Sequence, residues 1–247
     1  MAEAPENTRA AFNRALGYPI DGIELDVQLT RDRVPVIFHD SNLKKINRSR
    51  RSISSYNYDE LCQMDWGAWF SESFSREPIL TLEEVLLDYG ARTRLLIEIK
   101  PETSSGSHTV NRYLAQMVPD MIKKIIPQAL IDQMMLLSFD PAILAKAMAG
   151  APGLKYGLNL ETDKYKTIGT PGNLYAVSLP IRKINAGFVN HCHTDGIVVM
   201  TYACNSKKQF DKALSMGVDV IMTNDPGRIC PQKKRWIEQS FDFNKGD

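Results

Sequence analysis

Apolar runs of strand length alternate with amphipathic stretches through the whole chain, and this order limits the fold more than any other feature. A parallel sheet buried on both faces needs near-continuous apolar strands joined by covering helices, so the pattern predicts an α/β protein of the (β/α)8, TIM-type barrel class. Candidate strands lie at Gly22–Gln28, Pro35–His39, Arg94–Lys100, Met134–Phe139, Lys155–Leu160, Tyr175–Pro180, Gly196–Tyr202 and Val218–Thr223. The first helix has Asn7 or Thr8 as its cap, buries Ala11, Phe12, Ala15 and Leu16 at helical spacing, and ends near Gly17. Further helices are expected at Thr81–Tyr89, around Val110–Ile126, and at Pro141–Ala149.

Residues 41–78 break this rhythm with a polar stretch that carries Arg48, Arg50, Arg51, Trp66, Trp69 and Phe70. They read as a small insertion after an early strand, of the kind that shapes a binding mouth. The basic run Lys44–Arg51 is expected to be a solvated loop, and the aromatics to pack the insertion. The chain opens on a helix although eight strands follow, so the barrel's first strand is expected to be missing and one candidate to lie outside the wall. A length of 247 residues suits one barrel, and no linker or repeat divides residues 1–247 into separate domains.

Charge is balanced, with 30 Lys plus Arg against 29 Asp plus Glu, which excludes the basic surface of a nucleic-acid-binding protein. A small-molecule partner is expected instead. The four cysteines, Cys62, Cys192, Cys204 and Cys230, lack CxxC spacing and read as reduced, buried thiols. No run approaches the roughly 18 apolar residues of a membrane span, and MAEAPENT has no leader-like apolar segment. The expectation is a cytoplasmic chain, unless a signal stood ahead of Met1.

Side chains two apart on a strand share a face, so Glu24 and Asp26 in IELDVQL point the same way, as do Glu98 and Lys100 in LLIEIK. His39 and Asp40 close the second strand. Barrel chemistry gathers at the C-terminal strand ends, where these residues and Ser138 with Phe139 fall. A carboxylate buried without a partner costs several kcal/mol, in round terms, so Glu98 requires a cation beside it. Glu24, Asp26 and Glu98 together offer hard oxygen ligands suited to Mg2+ or Ca2+. The alternative is that Glu98 pairs with Lys100 while Glu24 and Asp26 are structural, and spacing alone does not separate the two. His191, Cys192 and His193 do not share a helical face and read as helix-end residues rather than metal ligands.

The segments APENT with Ala10, Ala11 and Phe12, then IELDVQLTRD, VIFHD, Leu43 with Arg48, TLEEVL and IEIKP stand here in the order found in glycerophosphodiester phosphodiesterases, and the chain resembles that family. The resemblance implies a barrel-fold hydrolase that uses one divalent cation, Mg2+ or Ca2+, to cleave a glycerophosphodiester into an alcohol and glycerol 3-phosphate. By position it makes Glu24, Asp26 and Glu98 the metal ligands, His39 a catalytic histidine and Lys100 a phosphate or substrate contact.

Two departures stand out. Family members begin with a strand ending in His-Arg-Gly just before APENT, which carries a second catalytic histidine, whereas Met1, Ala2 and Glu3 stand here. The resemblance therefore implies impaired turnover for the chain as it stands, or a non-catalytic barrel that binds metal and phosphodiester. The family's Trp-Thr-Val-Asn is replaced by Met200, Thr201 and Tyr202 with Asn205 displaced, which alters the aromatic wall, while Thr223, Asn224, Asp225 and Pro226 retain the closing element.

Overall fold

The computed structural model describes residues 2–102, 107–163 and 172–232. In chain order the principal elements are α1 (Arg9–Leu16), β1 (Gly22–Leu29), β2 (Pro35–Ile37), α2 (Lys44–Asn47), α3 (Tyr58–Cys62), α4 (Leu82–Tyr89), β3 (Arg94–Ile99), α5 (Ser107–Ile125), β4 (Met134–Ser138) and α6 (Pro141–Gly150). They continue with β5 (Lys155–Asn159), β6 (Ala176–Pro180), α7 (Ala186–Thr194), β7 (Val198–Tyr202), α8 (Lys207–Ser215) and β8 (Val220–Ile221). Local chemistry sets many of the helix starts. Thr8 accepts from the Ala11 amide, Thr81 and Glu84 form a capping box, and Asp140 caps α6 with Pro141 in its first turn.

All eight strands join one curled sheet in the order β2-β1-β3-β4-β5-β6-β7-β8, the TIM-type arrangement expected from the alternation. Pairing is parallel from β1 through β8, whereas β2 turns back antiparallel on β1 with Val27 opposite Ile37. The strand lying outside the parallel wall is thus Pro35–Ile37. Its polar turn is too short for the crossover that a parallel return requires. Among the described residues β8 pairs only with β7, and the Gly22–Leu25 half of β1 is paired only with β3.

Pleat alternation divides the apolar residues into separate cores. Ile23, Leu25, Val27, Leu95, Ile97, Ile99, Tyr156 and Leu158 face the helices in the larger one. Leu137, Ala176 and Met200, with Leu96 and Met135, fill the barrel interior. Gly157 belongs to this inner layer, where an added Cβ would stand 2.6 Å from Leu137 Cδ2.

The insertion has a core of its own, in which Trp66 packs edge-on to Phe38 at 5.2 Å beside Leu43, Ile53, Leu61 and Ile79. Asp65 ties its far loop by accepting from the amides of Arg76, Ala68 and Gly67, which hold the carboxyl down to about 2. Of the aromatics, Trp66 serves packing, while Trp69 and Phe70 meet edge-on at 5.8 Å outside this core, and Arg51 stacks over Tyr56 at 4.5 Å. On α7, Cys192 is buried, and His193 Nε2 lies 2.9 Å from Asp219 rather than joining a ligand cluster.

Candidate metal centre

Because Ile23, Leu25 and Val27 turn toward the helices, Glu24 and Asp26 turn into the barrel mouth, and the same alternation turns Glu98 inward from β3. Asp26 lies opposite Glu98 in the parallel register. The carboxylates of Glu24, Asp26 and Glu98 each place an oxygen within 4.8 Å of the others. Lys100, just past β3, sets its ammonium 3.0 Å from Asp26 Oδ1 and 2.8 Å from Glu98 Oε1. The pairing of Glu98 with Lys100 and the convergence of three carboxylates therefore occur together.

The electrostatics describe a site with too much negative charge. Burial, then the charges of Asp26 and Glu98, push the Glu24 carboxyl well above its usual range. Burial and Asp26 raise Glu98 as well, despite the opposing Lys100 charge. Desolvation works against the Lys100 ammonium, but Asp26 and Glu98 outweigh it and hold the proton more tightly than on a free lysine. Glu98 Oε2 accepts from Asn159 Nδ2 at 2.8 Å, whereas buried Oε1 has the Lys100 ammonium, 2.8 Å away and shared with Asp26, as its polar neighbour. An all-oxygen set in which two buried carboxylates share one ammonium fits a hard divalent cation.

Lys100 and Glu98 line a cavity of about 350 Å3 with Gln28, Leu29, His39 and Phe139. His39 reaches it from the end of the second strand with its ring half exposed. Its Nδ1 is 2.8 Å from Asp40 Oδ1. Burial would raise the Asp40 carboxyl, but hydrogen bonds from His39 and Lys45 bring it below its usual range, so it is an ionised acceptor. Against an ionised acceptor Nδ1 is the donor, which in a neutral ring leaves the lone pair on Nε2. Lys45 supports this arrangement 3.0 Å from Asp40 Oδ2, bonded also to Glu6 and lying 4.6 Å from the Trp69 ring centre. Gln28 Nε2 donates to the carbonyls of both Phe38 and Asp40.

Sequence reading missed the roles of Asn159, Gln28, Lys45 and Glu6. A signal existed for the first two, since each is an inward polar residue in an otherwise buried strand. Lys45 and Glu6 had none, because their partners are 39 residues apart in sequence. At the aromatic wall, Tyr202 stacks edge-on against Phe139 at 6.4 Å and donates to Leu160 O. Ser138, singled out at the same strand end as Phe139, is instead buried with its hydroxyl donating to Ile99 O.

Residues 1–228 match the Glycerophosphoryl diester phosphodiesterase family. The chain is 32% identical to the glycerophosphodiester phosphodiesterase of Caldanaerobacter subterraneus subsp. tengcongensis, covering 90% of this chain and 89% of that one. It is likewise 32% identical to the enzyme of that name from Bacillus altitudinis, over 91% of both chains. A solved phosphodiesterase of Oleispira antarctica, in complex with the product sn-glycerol-3-phosphate, superposes with a TM-score of 0.79 at 25% identity, covering 91% of this chain and 90% of that one. With its barrel and its sequence matched over nearly the full length, the chain belongs to the glycerophosphoryl diester phosphodiesterase family of phosphoric diester hydrolases.

Proposed function

We propose that this chain hydrolyses glycerophosphodiesters in a metal-dependent reaction that releases an alcohol and glycerol 3-phosphate. The observation that carries the reading is the convergence of Glu24, Asp26 and Glu98 beside a cavity that also receives His39 and Lys100. The three carboxylates hold one divalent cation, Mg2+ or Ca2+, which when bound supplies positive charge against the phosphoryl oxygens. Lys100, fixed as an ammonium, offers a second positive group to the phosphate. His39, with Nδ1 anchored on Asp40, presents Nε2 to take the proton from the attacking hydroxyl. A cytoplasmic location is part of the proposal and rests on the sparse cysteines, which show no CxxC spacing. Among the described residues no helix is long and apolar enough to cross a membrane.

A second reading, a barrel that binds metal and phosphodiester without turnover, is favoured by one observation. Among the described residues His39 is the sole histidine lining the cavity, and proton transfer to the leaving alkoxide calls for another acid. The deciding experiment measures glycerol 3-phosphate release from glycerophosphocholine, glycerophosphoethanolamine and glycerophosphoglycerol, with Mg2+, Ca2+ or EDTA. It is run on the chain alone and on the chain extended by a strand ending in His-Arg-Gly. Metal-dependent release by the chain alone assigns both proton transfers to its own residues, and release only after extension assigns the acid step to the added histidine. No release by either version with either metal overturns the hydrolase reading.

A further inference from the structure

We propose that Asn7 is a positioning residue for the cation site, dividing the two oxygens of Asp26 so that Oδ1 alone faces the carboxylate cluster. Asn7 stands in the left-handed region at φ 58°. Outside glycine that conformation carries a cost, and asparagine tolerates it better than most residues. Its side-chain amide spans 19 residues of sequence to bond Asp26 twice. Nδ2 donates to Asp26 Oδ2 at 2.8 Å, and Oδ1 accepts from the Asp26 backbone amide at 3.2 Å. Asp26 is 4% exposed, so its carboxylate has no solvent to turn into. With Oδ2 engaged by Asn7, Oδ1 is the oxygen that lies 3.0 Å from the Lys100 ammonium, which also contacts Glu98 Oε1, and one Asp26 oxygen lies within 4.8 Å of oxygens of Glu24 and Glu98.

The backbone around Asn7 is tied on both sides. Glu6 is bonded to Lys45, and the Thr8 hydroxyl donates to Pro5 O at 2.7 Å while capping α1. The amide is therefore presented from a fixed frame. A neutral amide adds no charge to the site, so its effect on a bound cation is exerted through the orientation of Asp26. Groups that orient metal ligands in this way typically change affinity by about 10- to 100-fold when removed.

The proposal rests on the cation reading above, and titration of the parent chain tests that reading separately. Ca2+ and Mg2+ are titrated calorimetrically into EDTA-stripped protein, and melting is recorded in EDTA. Asn7→Gly removes the amide while relieving the φ 58° backbone, so loss of affinity is not confounded by strain. Asn7→Gly is expected to melt within a few degrees of the parent in EDTA, yet to bind the cation at least about tenfold more weakly. Parent-like affinity in a folded Asn7→Gly chain overturns the proposal and leaves Asn7 as a tie between the N-terminal loop and β1. Absence of binding by the parent overturns the cation reading itself, and the proposal with it.

Discussion

Replacing Lys100 with methionine removes the one ammonium that lies among three carboxylates while keeping the stem's apolar bulk. In the folded chain that nitrogen is within 3.0 Å of Asp26 and Glu98, and its side chain is only 18% exposed. Breaking a buried ion pair on one side costs about 3–5 kcal/mol, which for a chain of this length lowers Tm by roughly 6–20 °C. The loss has a defined sign with pH. Glu24 and Glu98 already titrate above their usual range, and Lys100 holds both down, so its removal raises them further. A carboxyl with a raised folded pKa binds more protons folded than unfolded, and its contribution to stability falls as pH rises from the unfolded value through the folded one. Thermal unfolding in EDTA should therefore show a larger deficit for Lys100→Met at about pH 8 than at about pH 5. Ca2+ or Mg2+ should restore much of it by replacing the missing charge. A deficit independent of both pH and cation would refute the account, because it would mean that Lys100 contributes packing alone.

Three further outcomes follow from the geometry. In a version with measurable turnover, His39→Ala should lower kcat by roughly 10²–10⁴ with little change in KM, and equal turnover removes His39 from the reaction. Asp40→Asn should act in the same direction by releasing the Nδ1 proton, and 15N shifts of His39 should report a mixed tautomer; an unchanged tautomer refutes the anchoring. Gly157→Ala should cost about 1–3 kcal/mol by overpacking against Leu137, read as a lower denaturant midpoint with unchanged slope, whereas a parent-like midpoint would show that the inner layer has room to yield.

The parts of the site legible in the sequence are those that obey the two-residue period of a strand. Glu24, Asp26, Glu98 and Lys100 could be placed on one face because the apolar residues between them had to face the helices. The strand outside the parallel wall was countable but not identifiable, since periodicity does not report pairing direction. The supports of the site were harder to read. Asn7 looked like a helix cap, yet Thr8 takes that role and Asn7 reaches across to β1. Lys45 lay in a basic run that reads as solvated, but it is drawn between Glu6, Asp40 and the Trp69 face by the folding of the insertion. Apart from Lys45 with Asp40, these contacts join segments far apart in sequence, and local pattern carries no information about such partners.

The central claim is that Glu24, Asp26 and Glu98 bind one divalent cation, and counting bound metal tests it most directly. EDTA-stripped protein is dialysed to equilibrium against Ca2+ or Mg2+, and the metal retained per chain is determined by elemental analysis, alongside Glu98→Gln. That substitution deletes charge from the cluster while keeping the side chain's shape and its contact with Asn159. One cation per parent chain, lost in a Glu98→Gln chain that melts as the parent does in EDTA, is the predicted result. No retained metal in the parent, or equal retention in Glu98→Gln, would contradict the account.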